Sequence, residues 1–165
     1  MLDENLVVSL NNQYTYERFS ESVYQALAAH VDRLNLVGMA SYLRKRAAEE
    51  HTHAEKFAEY LIDRNAVATV GALDAPEPPA QNDLMLVGIE CFTKALDHEK
   101  TVTARIETLY RIAEEVEDGR TCVFLHWFLT EQVEEERSLE EIITRFKLAS
   151  GNGAAILMID HWLGE

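Results

Sequence analysis

Residues 48–57 read AEEHTHAEKF, a Gly- and Pro-free run in which ionisable residues stand where a helix core should be. Around it Leu43, Ala47, Ala54, Phe57 and Leu61 recur at helical spacing and define one buried face. Glu50 and His53 fall on that same face. An ionised carboxylate in an apolar interior costs several kcal/mol even after relaxation, unless a counter-charge meets it. A metal cation would remove the cost, provided that other helices bring further ligands to the same height.

Outward from this run the chain divides into five helical segments. Helix-like periodicity covers 5–34, with Leu6, Leu10, Tyr14, Tyr24, Leu27 and Val31 on one stripe and Glu17 among them. The central run belongs to a second helix, predicted over 37–65. A third is predicted over 84–117, where Phe92, Glu99 and Ile106 follow in steps of seven, beside Leu96, Thr103, Tyr110 and Ala113. The fourth, over 119–150, carries Leu125, Phe128, Leu139, Ile142 and Phe146, interrupted by Gln132 and Glu135, and is closed by Gly151 and Gly153. An apolar segment over 154–163 makes a short fifth helix.

The connections near Asn35 and at Asp118-Gly119 are so short that each joins antiparallel neighbours. Residues 66–83, with Gly71, Pro76, Pro78 and Pro79, form a long loop instead. A 30-residue helix is about 45 Å long, and 18 extended residues reach at most about 60 Å. The loop therefore crosses the bundle end to end and sets the third helix parallel to the second. The expected fold is all-α, an up-down-down-up four-helix bundle with a long crossover and a short fifth helix, as one domain over 1–165.

Glu50-x-x-His53 alone carries little weight, because 29 acidic residues and 6 histidines in 165 positions yield such a pair about once by chance. Repetition changes this. Glu17 to Glu50 spans 33 residues, as does Glu99 to Gln132, and three more reach His53 and Glu135. The two halves thus carry one spacing offset by 82 residues. Two helix pairs about a pseudo-twofold axis, each offering one carboxylate and an i, i+3 pair, make a cage for two metal ions.

Composition narrows the partners. With 47% apolar and 27% charged residues this is an ordinary folded chain, but its net charge of -14 disfavours nucleic acid and anionic membrane and favours cations. Cys91 and Cys122 lie in apolar helical segments and form no CxxC pair, which fits a reducing compartment. The first residues, MLDENLVVSL, lack the basic start of a secretory signal, and no apolar run approaches the roughly 18 residues of a membrane span. The expected location is the cytoplasm.

Tyr14-x-x-Glu17, AEEHTHAEKF with Glu49, Glu50 and His53, the DHE triplet ending at Glu99, and FLHWFLTEQVEEE over 124–136 together resemble the bacterial non-haem ferritins, along essentially the whole chain. That resemblance implies a first iron at Glu17, Glu50 and His53, with Glu50 bridging to a second at Glu99 and Glu135 and with Gln132 beside the pair. It further implies Tyr24 near the centre and an accessory third iron at Glu49, Glu131 and Glu134. The implied activity is ferroxidation, Fe(II) to Fe(III) with O2 or H2O2, and storage of ferric mineral in a 24-subunit homo-oligomeric cage. Bacterioferritins repeat Glu-x-x-His in both halves and place a haem-binding Met where this chain has His51; the resemblance therefore implies no haem. Rubrerythrin-type CxxC pairs are absent, and unlike the small DNA-protecting cages this chain supplies a full ligand set itself.

Oxygen-rich ligands with one imidazole suit iron, and Gln132 in place of a fifth carboxylate is expected to make the second iron more exchangeable. The rival readings are another diiron or dimanganese carboxylate oxidase, a bacterioferritin-type protein, and a metal-free helical interaction protein. His30, His51, His98, His126 and His161 are assigned to surface or satisfied helix positions, and Trp127 and Phe128 to packing. Trp162 and the apolar fifth segment are expected at a subunit contact.

Overall fold

Each helix boundary follows from local chemistry. In a computed structural model that describes residues 2–165, five helices run over Glu4–Arg33 (α1), Val37–Asp63 (α2), Val87–Glu115 (α3), Gly119–Ala149 (α4) and Gly153–Gly164 (α5). Asp3 starts α1, its Oδ1 accepting the amide N–H of Asn5 at 2.9 Å and of Leu6 at 3.3 Å. Three ends share one device. Asn35, Asn65 and Glu117 take positive φ of 62°, 57° and 56°. The next amide then reaches back five residues, Leu36 to Val31 O, Ala66 to Leu61 O and Asp118 to Ala113 O, at 3.1, 2.8 and 2.9 Å.

The left-handed residues end α2 and α3 two positions before periodicity predicts, although the sequence pattern continues through them. α3 also begins at Val87 rather than 84. Asp83 Oδ1 accepts the Met85 amide at 2.8 Å and holds 84–86 in a turn, leaving Leu84, Met85 and Leu86 partly exposed.

Side-chain pairs fix the topology. Arg44 meets Asp32, and Arg18 meets His51, so α1 and α2 are antiparallel. Ser20 meets His98 and Gln13 meets Arg105, which sets α3 antiparallel to α1. Tyr42 meets Ser138 and Tyr60 meets Thr121, which does the same for α4 and α2. Helices α2 and α3 are therefore parallel, as an up-down-down-up bundle requires. The crossover lies along α1: Val67 O and the amides of Thr69 and Gly71 bond Asn11 and Thr15 near one end, and Gln81 O accepts from His30 near the other.

α5 caps the bundle where α2 begins and α4 ends. α2 has no side-chain cap of its own, and Asp160 of α5 supplies one, its Oδ1 accepting the Met39 amide at 2.8 Å. The approach is so close that a Cβ at Gly38 would meet Asp160 O at 1.6 Å. Ile156, Ile159 and Leu163 are buried against the same chain, whereas Leu157, Met158 and Trp162 stay exposed. The fifth helix thus folds onto its own bundle and still presents an apolar outer face.

Apolar packing forms two clusters rather than one continuous core. Tyr24, Leu27, Met39, Leu43, Phe92, Leu139 and Ile142 belong to the cluster at the α5 end. Leu6, Leu10, Phe57, Leu61, Ile106, Leu125 and Phe128 belong to the other. Between them lies a polar belt.

At the far end Asp118 joins two helices. It caps α4, accepting the Thr121 amide at 3.0 Å, and its Oδ2 accepts at 2.7 Å from Arg64, the residue that closes α2. The Arg64 hydrogen bond holds the Asp118 carboxyl at about 2, below its ordinary 3.8, so its contribution is present above about pH 3.8 and is lost as pH falls toward 2. Asp118→Ala is expected to cost about 1 kcal/mol at neutral pH. In urea melts, the gap between variant and wild type should close as the pH is lowered through that window.

Candidate metal centre

Four helices each place ionisable or amide side chains in the polar belt. Glu17 comes from α1, Glu50 and His53 from α2, Glu99 from α3, and Gln132 and Glu135 from α4, none more than 4% exposed. The i, i+3 spacing on α2 and on α4 turns both members of each pair inward. Glu17, Glu50 and His53 offer ligand atoms that all lie within 4.8 Å of one another, and so do His53, Glu131 and Glu135. His53 joins the two groups.

The remaining polar atoms are tied down around this centre. Tyr24 donates its hydroxyl to Glu99 Oε1 at 2.5 Å, and Gln132 Nε2 donates to Glu99 Oε2 at 3.0 Å. Gln13 Nε2 donates to Glu17 Oε1 at 2.7 Å, and Arg105 Nε in turn donates to Gln13 Oε1 at 3.1 Å. The rings of Trp127 and Phe128 meet His53 edge-on, at 5.4 and 5.9 Å between centroids. By contrast Glu17 Oε2 and both oxygens of Glu50 are buried without any hydrogen-bond partner. Buried carboxylate oxygens left bare in this way are the atoms a cation would need.

Electrostatics agree. Burial, and then the charge of Glu50, push the Glu17 carboxyl well above the usual range. Glu50 is raised likewise by burial and by Glu99. Burial lowers His53, favouring the neutral imidazole that can ligate a metal. Tyr24, raised by burial and by Glu99, keeps its proton and remains a donor.

Of the residues expected at the two principal positions, Glu17, Glu50 and His53 gather as one ligand group and Glu135 joins His53 in the other, whereas Glu99 lies outside both groups, held by Tyr24 and Gln132. The accessory set does not gather as a unit: Glu131 joins His53 and Glu135, Glu49 pairs with Arg46 at 2.6 Å, and Glu134 is exposed outside both ligand groups. Among the described residues the other histidines have different partners. His30 meets a loop carbonyl, His51 meets Arg18 and Glu21, His98 meets Ser20, His126 meets Tyr110 and His161 meets Glu165. Arg46, in salt bridges with both Glu49 and Glu135, is a member of the belt that periodicity overlooks. Its signal is its position four residues before Glu50, on the same helix face.

Comparison with known proteins points one way. Residues 8–149 match the ferritin-like domain family. The chain is 35% identical over 164 residues to the bacterial non-heme ferritin of Staphylococcus aureus (strain NCTC 8325 / PS 47), covering 99% of this chain and 96% of that protein. It is 36% identical over 140 residues to the bacterial non-heme ferritin of Staphylococcus haemolyticus, covering 85% and 81%. Among solved structures, the open pore ferritin of the hyperthermophilic archaeon Archaeoglobus fulgidus superposes with a TM-score of 0.93 at 29% identity, over 99% of this chain and 98% of that one.

The bare Glu50 carboxylate should burden the metal-free protein. A carboxyl raised on folding stabilises below its ordinary value of 4.5 and loses that contribution as pH rises toward the folded value. Glu50→Leu is therefore expected to leave the metal-free fold at least as stable at neutral pH, by about 1 kcal/mol or more, and to flatten the decline of stability with rising pH. Thermal melts of the chelator-treated protein check this, and marked destabilisation at pH 7 would show that Glu50 has a structural partner.

Proposed function

The chain belongs to the ferritin family, and from that membership and the belt geometry we infer that it is an iron-storage protein that oxidises Fe(II) at an intrasubunit two-iron centre. The observation that carries this reading is the set Glu17, Glu50 and His53, with ligand atoms within 4.8 Å and carboxylate oxygens without partners.

In this reading Glu17, Glu50 and His53 hold one ferrous ion, and Glu50, Glu99 and Glu135 hold the other. Glu17 and Glu50 release their protons as iron enters, and His53 is already neutral. The hydroxyl of Tyr24 and the amide of Gln132 fix the Glu99 carboxylate from both sides, so its orientation is set before the metal arrives. Anionic ligands in a poorly solvated site stabilise the ferric charge more than the ferrous, which favours oxidation. Each ferrous ion gives one electron. Two electrons and two protons convert O2 to H2O2, or H2O2 to two waters. Gln132, neutral where the repeat partner Glu50 is charged, weakens the hold on the product.

Oxidised iron then passes into the interior of a homo-oligomeric cage, in this reading a 24-mer in the cytoplasm, without haem. The exposed apolar face of α5, with Leu157, Met158 and Trp162, suits burial against other subunits. Among the described residues no helix is long and apolar enough to cross a membrane.

Anaerobic titration with Fe(II) followed by air is expected to give ferric absorbance that breaks at about two iron ions per chain. Glu17→Ala should slow that oxidation by about a hundredfold or more, a loss of metal binding rather than of fold. Light scattering should report a particle of about twenty-four chains. A particle of one to four chains with intact oxidation would support a soluble diiron oxidase instead, and absence of any ferric signal would support a metal-free helical protein.

A further inference from the structure

Among the described residues Arg46 is the one cation paired with a carboxylate of the belt on the Glu135 side. Its side chain is 13% exposed, and it bridges Glu135, 3% exposed, to Glu49, 51% exposed, at 2.6 Å from the latter. Tyr24, Tyr42 and Glu99 are its further electrostatic neighbours, so the guanidinium sits near the donor that fixes Glu99. An Arg cannot shed its proton to ease burial, and so its charge is permanent there.

The internal repeat gives this contact a counterpart. Advancing by the repeat offset of 82 residues takes Arg46 to Phe128, and stepping Glu135 back by the same amount gives His53. The Phe128 ring does lie against the His53 ring, 5.9 Å between centroids. Equivalent positions in the two halves therefore hold an apolar ring against a neutral imidazole and a guanidinium against a carboxylate.

Resting on the two-iron reading above, we propose that Arg46 is a positioning residue that occupies Glu135 until the second iron arrives, and is displaced toward Glu49 when it does. The exposed Glu49 gives the guanidinium somewhere to go, since one of its partners is buried and the other reaches solvent. Three consequences follow from its charge. The metal-free belt is partly neutralised, the second metal binds more weakly than the first, and the ferric product meets a nearby positive charge that favours its departure.

Stepwise binding of Co(II), a redox-inert stand-in for ferrous iron, measured by calorimetry on wild type, Arg46→Gln and Arg46→Lys tests this. Arg46→Gln is expected to tighten the second step by about tenfold or more while leaving the first within a few-fold. Arg46→Lys, which keeps the charge, should restore the weak second step. In ferroxidation, Arg46→Gln should lower the KM for Fe(II) without raising kcat.

A second step in Arg46→Gln that is unchanged or weaker, beside normal two-step binding by wild type, overturns the displacement proposal and leaves the ferritin reading intact. Wild type that binds no metal overturns both. Should Arg46→Gln not assemble, crystal structures of the wild-type protein with and without Co(II) decide: loss of the Arg46–Glu135 contact on loading is expected, and its persistence overturns the proposal.

Discussion

The rest of this structure is arranged around one electrostatic constraint, the enclosure of Glu17, Glu50, Glu99 and Glu135 within a few residues' width of the bundle. Fully ionised carboxylates in that space would repel one another with little solvent to screen them. The chain answers partly by burial that favours the protonated forms of Glu17 and Glu50, partly by donors from Gln13, Tyr24 and Gln132, and partly by Arg46. What it leaves undone, the bare oxygens of Glu17 and Glu50, is what a cation completes. Function is thus stored as incomplete polar satisfaction, a condition that an ordinary core avoids.

Such a belt could not sit in a single continuous core without weakening it. Splitting the apolar packing into two clusters lets each end of the bundle be well packed while the middle stays polar. The ends are fastened separately. Asp118 and Arg64 tie α2 to α4 at one end, and Asp160 ties α5 to the start of α2 at the other. The long crossover, bonded at Asn11, Thr15 and His30, adds a third restraint along α1. Ends fastened in this way around a charged waist hold side chains from four helices at one height before any metal arrives, which is the preorganisation that a binding site needs.

Much of this was legible in sequence because it follows from period and spacing. The 3.6-residue stripe gave the helices, Pro76, Pro78 and Pro79 gave the crossover, and the 33-residue spacings in the two halves placed Glu17, Glu50, His53, Glu99, Gln132 and Glu135 on inward faces. Helix ends were less legible. Asn35, Asn65 and Glu117 stop helices by adopting left-handed backbone, and nothing about Glu117 announces this, since Gly is the usual residue there. The mispositioned start of α3 has a similar origin, because Leu84 and Met85 continue an apolar pattern that the Asp83 turn cuts off. Arg46 was overlooked for a different reason. Periodicity sorts residues by polarity, and an Arg beside Leu43 and Ala47 is sorted to the helix surface although its long stem carries the charge inward.

Comparison of the two halves shows where the protein departs from its own symmetry. Glu17 and Glu99 are repeat partners, yet one is fixed by Gln13 alone while the other is held by Tyr24 and Gln132. Glu50 faces Gln132, His53 faces Glu135, and Arg46 answers to Phe128. The replacements offset one another in number and differ in availability: the second half exchanges the Glu50 carboxylate for the Gln132 amide and gains the Glu135 carboxylate where the first has His53, but that gained carboxylate lies against the Arg46 guanidinium. A symmetric cage would hold its two cations equally well. In the two-iron reading proposed above, the amide at Gln132 and the permanent cation against Glu135 outweigh the carboxylate gained at that position, which makes the Glu17 side the firmer hold and the Glu135 side the more readily emptied.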